Sequence, residues 1–448
     1  MQLLDTLEKI QSNDFVVEVF GIGYVGFPLL TRLADSGIKV IGIDTDEKRI
    51  NRLEENLLED SELHIKPIFL EARKNKLLSF SKVPSKSDKP KIGIICVPTP
   101  NKNQNSNVYV FSAVENFLKS SKSGDLLILE SSVMNGTTET VKKMIEENGF
   151  QVGSDYGLCF CPERIDPLNK KWNLENIPRI IYASDDTTFT IAQKIYHHVN
   201  KSHLTRVSSA KTAEIVKSYE NAFRLVNISL VNELAILCDN LNVNVKEVIE
   251  AAATKPFGFM PFYPGAGAGG HCIPKDPIFL LESARENNLQ FSSIKEALRT
   301  NLFVPKYIVG SIEEILDNLK LEKSVVVCGL AYKPDIEDMR DSPGFKILNE
   351  FNNRNFKISA YDPYFKKELK AKYLVENYLE SLEFFVLNDL EKQLKEYNCI
   401  CIVQHHTKTK FLLNRIYKNS EIPVIFDCQN QLKTNSGSKS VLMRFGNR

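Results

Sequence analysis

The chain reads as an α/β protein with two doubly wound parallel-sheet domains joined by a long helix and a central all-helical region. Three observations predict this. Apolar strand patterns alternate with helical ones over about the first 200 residues. A helical pattern without Gly or Pro runs from Ser208 to Leu241, and a second strand–helix alternation opens at Ser324. The first strands are expected at Val16–Phe20, Val40–Ile43, Ile92–Val97, Leu126–Leu129 and Leu158–Phe160. These short Val-, Ile- and Leu-rich runs suit strands covered on both faces. The Ser208–Leu241 helix is too long for a peripheral crossover and is read as a link between lobes. Asn242–Leu302 reads as mostly helical, broken by the Pro/Gly-rich loop Pro256–Pro277. The second sheet is expected from Ser324–Cys328, Lys357–Tyr361, Cys399–Val403 and Val424–Phe426, with a helix from about Pro343. The boundaries are set at 1–207, 208–310 and 311–448, in keeping with roughly 150 residues per domain.

The two α/β halves echo each other. Each runs strand, glycine, helix, strand, acid: Gly21 to Asp44 over 23 residues, and Gly329 to Asp362 over 33. The longer turn carries AYKPDIEDMRDSP. Only Thr434–Ser440 forms a notably polar stretch.

Composition excludes several classes. Apolar residues make up 43% and charged residues 25%, ordinary values for a folded globular chain. Fifty-seven basic against 56 acidic residues, with no long run of one sign, argue against a nucleic-acid surface. No uninterrupted apolar run reaches the ~18 residues of a membrane span. The N-terminal MQLLDTLEKIQSND mixes charge with apolar residues, unlike a secretory leader. Nine scattered cysteines fit a reduced, cytoplasmic protein.

Gly21-Ile22-Gly23-Tyr24-Val25-Gly26 follows a strand and opens a helix. Gly21 permits the tight turn, Gly23 lets a pyrophosphate approach the backbone, and Gly26 lets the helix pack on the sheet. Asp44, at the end of the next strand, suits a ribose diol and would repel a 2′-phosphate, favouring NAD over NADP. Arg49 nearby weakens that preference. The first domain is therefore expected to be Rossmann-like, with a dinucleotide on the helix N-terminus.

In Pro264-Gly265-Ala266-Gly267-Ala268-Gly269-Gly270-His271-Cys272-Ile273-Pro274-Lys275-Asp276-Pro277, four glycines precede one cysteine. Pro274 is expected to start a helix, placing Cys272 near its N-terminus, where the dipole and Lys275 favour the thiolate. Cys96, Cys238, Cys328, Cys399 and Cys401 fit buried packing roles. The C-x-C pairs lack partners at metal-ligand spacing, and no metal is assigned. On the long helix, Lys217, Asn221 and Arg224 share one face at i, i+4 and i+7. The rest of that helix reads as apolar nearly all round, which implies buried cations awaiting an anion and a homodimer to cover the surplus surface.

With these residues in hand, the chain resembles the nucleotide-sugar 6-dehydrogenases of the UDP-glucose/GDP-mannose dehydrogenase family. The ordered motifs are GIGYVGFPL, CVPTP, ESSVMNGTTE, CPERIDP, KSYENAFRLVNISLVNEL, GAGAGGHCIPKDP and GLAYKPDIEDMRDSP, spanning Val16 to Asn430. The resemblance implies an NAD-binding Rossmann domain, a central dimerisation region and a C-terminal Rossmann-like UDP-binding domain. It implies Cys272 as nucleophile, Lys217 and Asn221 as the oxyanion and water-positioning pair, Asp276 as a supporting acid, and Glu163 as the carboxylate that activates water. NAD contacts implied are Gly21, Gly23, Val25, Gly26, Asp44, Arg49, Thr99, Ser132, Lys275 and Arg340. Substrate contacts implied are Glu163, Arg164, Ile165, Lys217, Asn221 and Arg224, then Phe262, Tyr263, Gly265, Gly269, Tyr332 and Lys333. The chain departs from the family pattern at Ser132, at Met134-Asn135 and at Ala266, and Glu54–Phe80 fits it poorly.

The implied reaction oxidises a C6 alcohol to a carboxylate with two NAD⁺ and one water, through a thiohemiacetal and a thioester on Cys272. His271-Cys272-Ile273 and Pro256–Pro261 resemble the N-acetylhexosamine branch, most of all enzymes acting on UDP-N-acetylglucosamine. The UDP-glucose branch more often has a small hydroxyl residue before the cysteine. UDP-N-acetylmannosamine and UDP-glucose remain alternatives, as do a single-oxidation β-hydroxyacid dehydrogenase and a non-catalytic nucleotide-sugar sensor.

Overall fold

The computed structural model describes residues 2–99, 107–166, 169, 171–419, 422–433 and 438–447. Pro100 of CVPTP, Pro167 of CPERIDP and residues 434–437 of the polar stretch lie outside them. The chain forms two compact units, Met1–Tyr219 and Glu220–Arg448.

The first unit is built on eight strands. They are β1 (Val16–Phe20), β2 (Val40–Ile43), β3 (Leu78–Ser81), β4 (Lys91–Ile95), β5 (Leu126–Leu129), β6 (Gly157–Phe160), β7 (Arg179–Ala183) and β8 (Leu204–Arg206). Their order is β3-β2-β1-β4-β5-β6-β7-β8. Neighbours are parallel except β6 and β7, which run antiparallel. β1, β4, β5 and β6 are buried along their whole length, and the two charges among them, Glu18 of β1 and Lys91 of β4, pair with each other at 3.6 Å. The sequence reading missed β3, β7 and β8, and each has a reason. β3 lies at the sheet edge with only Leu78 buried, β8 has three residues, and β7 opens on a charged residue, Arg179.

The second unit holds β9 (Ser324–Cys328), β10 (Lys357–Tyr361), β11 (Phe385–Val386), β12 (Cys399–Ile402), β13 (Val424–Asp427) and β14 (Val441–Arg444). The order β11-β10-β9-β12-β13-β14, all parallel, repeats the arrangement around β1. The echo between the halves is therefore architectural. In both sheets the order reverses beside the first strand, which opens a crevice at its C-terminal end.

The linking helix runs Ala210–Leu241, 32 residues. By length and a mean hydropathy of 1.2 it reaches the composition of a membrane span, which the search for uninterrupted apolar runs did not anticipate. It is broken by polar side chains, and Ser229 and Asn232 among them are buried. Glu214 in its first turns ties it to the first sheet. Its carboxylate accepts from the N–H of Gly136 (2.6 Å), the N–H of Thr138 (2.8 Å) and the Thr138 hydroxyl (2.7 Å). Those groups start the helix Thr137–Glu147, so one side chain caps one helix and anchors another. Further along, Ala235 and Cys238 enter the core of the second unit.

Candidate active site

At the end of β1 the chain turns at Gly21, φ +89°, to enter the helix Gly26–Asp35. A Cβ on Gly21 would sit 2.8 Å from the Cys96 carbonyl oxygen, and one on Gly26 2.0 Å from that of Gly21. At Gly23 nothing lies within 4 Å, which leaves the open side a pyrophosphate needs. Val25 is the N-cap and makes no side-chain capping bond. Asp44 braces this turn: its carboxylate accepts from the N–H of Ile22 (2.8 Å) and of Asp46 (2.9 Å). Arg49 is held elsewhere. Its Nε donates to the Ile22 carbonyl (3.1 Å), its other nitrogens pair with Glu62, and its guanidinium lies over Phe27. The cation that left the NAD–NADP choice open is thus already neutralised. The Thr99 hydroxyl donates to the Ser132 carbonyl at 2.8 Å, joining the loops after the neighbouring strands β4 and β5. These residues fit NAD.

Glu163 follows β6 and is locked locally. One oxygen accepts from the N–H of Arg164 and of Ile165, each at 2.6 Å. The other lies 3.3 Å from the guanidinium of Arg179. Arg164 donates to the Pro178 carbonyl at 2.8 Å. Arg179, missed from sequence, is 1% exposed and also pairs with Glu130 at 3.0 Å. The signal was present in both cases: a charge opening or ending an otherwise apolar strand.

The cysteine loop lies wholly in the second unit. Asn232 accepts from the Gly265 N–H at 3.0 Å. Asn301 accepts from the Ala268 N–H at 2.6 Å and donates to its carbonyl at 3.0 Å. Gly269 and Gly270 press against the longer turn of the second sheet, where a Cβ would meet Pro343 or Tyr332 at 2.6 Å. No side chain would fit at Gly269, whereas Gly265 has open space at its Cα. Gly270 also donates to the Arg340 carbonyl at 3.0 Å. Neither Asn232 nor Asn301 was picked out from sequence. Asn232 stands 15 residues after Lys217 on the helical repeat, so the polar stripe pointed to it.

Cys272 ends exposed. The expectation of a helix starting at Pro274 is corrected: the helix is Asp276–Glu286, with Pro277 in its first turn. Pro274 instead sits in a tight turn, and the Cys272 carbonyl accepts from the N–H of Lys275 (3.1 Å) and of Asp276 (2.8 Å). Asp276 is 1% exposed and accepts from the Asn221 amide at 2.7 Å, which unites two of the expected catalytic residues. Burial pushes the Lys275 ammonium down to about 8, although Asp276 and the cysteine oppose this. Burial, reinforced by Lys275 and Arg340, pushes the His271 imidazole down to about 4, so it is neutral at pH 7. Asp338 holds Arg340 firmly charged against its burial, through bonds of 2.9 and 2.6 Å. Tyr332 donates its N–H to the Asp338 carbonyl at 3.1 Å, and Lys333 beside it is half-buried.

The long helix departs from its expected burial. Lys217 and Asn221 are half-buried, but Arg224 is exposed. Ile215, Tyr219, Phe223, Leu230, Leu237 and Leu241 also stand exposed. A single chain leaves this side of the helix uncovered, and the predicted burial of Arg224, which lies off that stripe, also fails. Phe262 meets Phe223 edge-on at 6.2 Å, while Tyr263 is exposed. Among the expected site residues, the glycine turn, Asp44, Arg49, Thr99, Ser132, Glu163, Arg164, Ile165 and Lys217 belong to the first unit. The others belong to the second. Among the described residues no group of three or more His, Cys, Asp or Glu gathers as metal ligands.

Three models of the UDP-glucose/GDP-mannose dehydrogenase family match: the NAD-binding domain at residues 15–200, the central domain at 211–302 and the UDP-binding domain at 326–434. The chain is 32% identical over 433 residues to the UDP-N-acetyl-D-mannosamine dehydrogenase of Methanococcus vannielii, covering 94% of each. It is 30% identical over 363 residues to the UDP-N-acetyl-D-glucosamine 6-dehydrogenase of Pseudomonas aeruginosa, covering 80% of this chain and 84% of that one. The solved UDP-D-ManNAc dehydrogenase of Pyrococcus horikoshii superposes with a TM-score of 0.84 at 30% identity, over 96% of this chain and 99% of that one. With an NAD turn in one sheet, a UDP-binding second sheet and the cysteine loop packed on the latter, the chain belongs to the UDP-glucose/GDP-mannose dehydrogenase family.

Proposed function

We propose that this nucleotide-sugar dehydrogenase oxidises the C6 hydroxyl of a UDP-N-acetylhexosamine to the carboxylate, in two NAD-dependent steps. The observation that carries the reading is the exposed Cys272 thiol at the end of a clamped glycine loop, four residues before the buried Asp276 that accepts from Asn221. UDP-N-acetylmannosamine is the preferred substrate. The Methanococcus and Pyrococcus relatives, similar over nearly the whole chain, support this by their names. The sequence motifs favoured UDP-N-acetylglucosamine, and the Pseudomonas relative supports that second reading. The two sugars differ by one inverted centre at C2.

Bound NAD⁺ supplies the hydride acceptor for both oxidations. Asp44, held on the Ile22 N–H, orients the adenosine ribose, and the Gly23 side of the turn admits the pyrophosphate. Cys272 captures the aldehyde as a thiohemiacetal, which keeps a reactive species bound and becomes a thioester on the second oxidation. Lys217 and Asn221, one turn apart, donate to the oxyanion at each stage. Loss of one such donor costs on the order of 100-fold or more in turnover. Asp276 accepts the Asn221 amide and so fixes its orientation. Glu163 takes the proton from the water that hydrolyses the thioester.

An end-point absorbance assay with limiting sugar nucleotide tests the reading. Two NADH per UDP-N-acetylhexosamine are expected, and a yield of one excludes the thioester route. The same assay with the manno, gluco and unacetylated sugars ranks the substrates. The stripe from Ile215 to Leu241 supports a homodimer, and a monomeric mass at micromolar concentration overturns that. Nine free cysteines, most of them buried, support a reducing cytoplasmic setting.

A further inference from the structure

Behind Glu163 lies a charge network that the reaction scheme above does not use. One guanidinium nitrogen of Arg179 serves three acceptors: Glu130 at 3.0 Å, Glu163 at 3.3 Å and the Cys161 carbonyl at 3.3 Å. Arg179 Nε and Nη1 are buried without a hydrogen-bond partner, and the guanidinium lies over the Tyr196 ring at 4.6 Å. The Tyr196 hydroxyl donates to Glu130 at 2.5 Å, and the Cys96 thiol lies 4.0 Å from the other Glu130 oxygen. The Arg179 and Glu130 side chains are 1% and 0% exposed, so solvent screens neither. Glu163, at 12%, is the member that reaches the surface. Two carboxylates therefore compete for one buried cation, and only one of them reaches the surface.

We infer that Arg179 and Glu130 are positioning residues for Glu163: Arg179 holds its carboxylate in place, and Glu130, by competing for the same guanidinium nitrogen, sets how firmly it is held. The inference rests on the reading of Glu163 as the base for thioester hydrolysis. In that step a water O–H proton passes to Glu163, the water oxygen bonds to the acyl carbon, the C–S bond breaks and Cys272 leaves as thiolate. A cation committed wholly to Glu163 would fix its charge and weaken it as a base. A cation drawn wholly to Glu130 would leave Glu163 loosely held and easier to protonate. The charged and titratable groups around the pair are Arg179 on β7, Glu130 after β5, Tyr196 on the helix Asp186–His197, Cys161 after β6 and Cys96 after β4. Burial pushes the Glu130 carboxyl up, Arg179 opposes this and Glu163 adds to it, as expected of rivals for one cation.

The test follows the decay of the acyl-enzyme on Cys272 by quenched intact-protein mass spectrometry across pH, with UDP-N-acetylhexosamine and NAD⁺. Glu130→Gln keeps the shape and frees Arg179 for Glu163, so the pH at which decay is half-maximal should fall by about one unit. Tyr196→Phe removes the donor to Glu130, strengthens its claim on Arg179 and should move the midpoint the other way. Neither change should alter formation of the first NADH. Circular dichroism identifies a variant that fails to fold, and the other variant still decides. Folded variants with wild-type midpoints and decay rates overturn the proposal alone when Glu163→Gln is slow to deacylate. A Glu163→Gln enzyme with wild-type turnover overturns the reading of Glu163 and the proposal with it.

Discussion

The two sheets share one strand order and one way of starting, yet they use it oppositely. Gly21 donates its N–H to the Ile43 carbonyl at 2.8 Å, and Gly329 donates to the Tyr361 carbonyl at 2.9 Å, the same bond in both. Both glycines have φ +89°. The acid that follows differs. Asp44 is half-buried and accepts from the N–H of Ile22 and of Asp46, with open space at Gly23. Asp362 is 6% exposed and saturated by the chain itself. It accepts from the N–H of Leu330 (2.6 Å) and Ala331 (3.0 Å), lies 3.0 Å from the His406 ring nitrogen, and takes the Tyr364 N–H at 2.7 Å. His406 receives the Asp335 N–H on its other nitrogen, so it is the donor toward Asp362. The first crevice is left open for a dinucleotide. At the second turn the acid is occupied by the chain itself, and the longer loop there packs against Gly269 and Gly270 of the cysteine loop. A shared fold thus says little about what a crevice holds, and the partners of one carboxylate say much.

The largest expected effect tests what the second half supports. Cys272→Ser is nearly isosteric at an exposed site, so folding and sugar binding should survive, while uronate formation falls by roughly three orders of magnitude or more. Product chromatography beside a binding titration checks both. Wild-type turnover would make the cysteine structural.

Next come the two acids. Asp362→Ala strands two buried backbone N–H groups and the His406 donor, so unfolding free energy should drop by about 3 kcal/mol. Asp44→Ala, with its neighbours nearer solvent, should cost less than about 1 kcal/mol but raise KM for NAD⁺ by about tenfold or more. Denaturant melts and cofactor titrations of both variants sharpen the comparison, and equal stability losses would break it. The same position sets the cofactor: with Arg49 paired to Glu62, wild-type kcat/KM for NADP⁺ should lie at least about tenfold below that for NAD⁺. Comparable values would mean that Arg49 leaves Glu62 for the 2′-phosphate.

The smallest effect is a pH dependence in the cysteine loop. His271 has its pKa depressed to about 4, below the unfolded value of 6.5, so between these values the unfolded chain binds more protons. Its contribution to stability is full above pH 6.5 and is lost as pH falls toward 4. His271→Gln should flatten the melting temperature over that window. An unchanged slope would show the imidazole to be solvated.

Much of the site was legible because its residues are unusual for their place. Glycines before a helix, four glycines before a cysteine, and a polar stripe on an apolar helix each break a local rule, and such breaks cluster at functional sites. The residues that were missed obey local rules. Asn232 and Asn301 look like ordinary helical polar residues until the loop they clamp is folded against them. Arg179 hid β7 because a buried charge contradicts a strand pattern, and only its partners Glu130 and Glu163 make that burial tolerable. Arg224 was expected to be buried because periodicity shows which residues share a helix face but not whether anything covers it.

What the sequence determined by itself was local and periodic: the apolar core strands, the helix that joins the lobes, the glycine turn, and which side chains can reach one another along a single helix. These follow from backbone sterics and side-chain spacing, which act over a few residues. Tertiary structure decided the rest, because it depends on groups brought together across long stretches of chain. Asp362 finds Leu330 and His406, Asn221 meets Asp276 across 55 residues, and Glu62 takes Arg49 away from the ribose site. A charge or a buried amide gains its meaning only from the partner that desolvation obliges it to find.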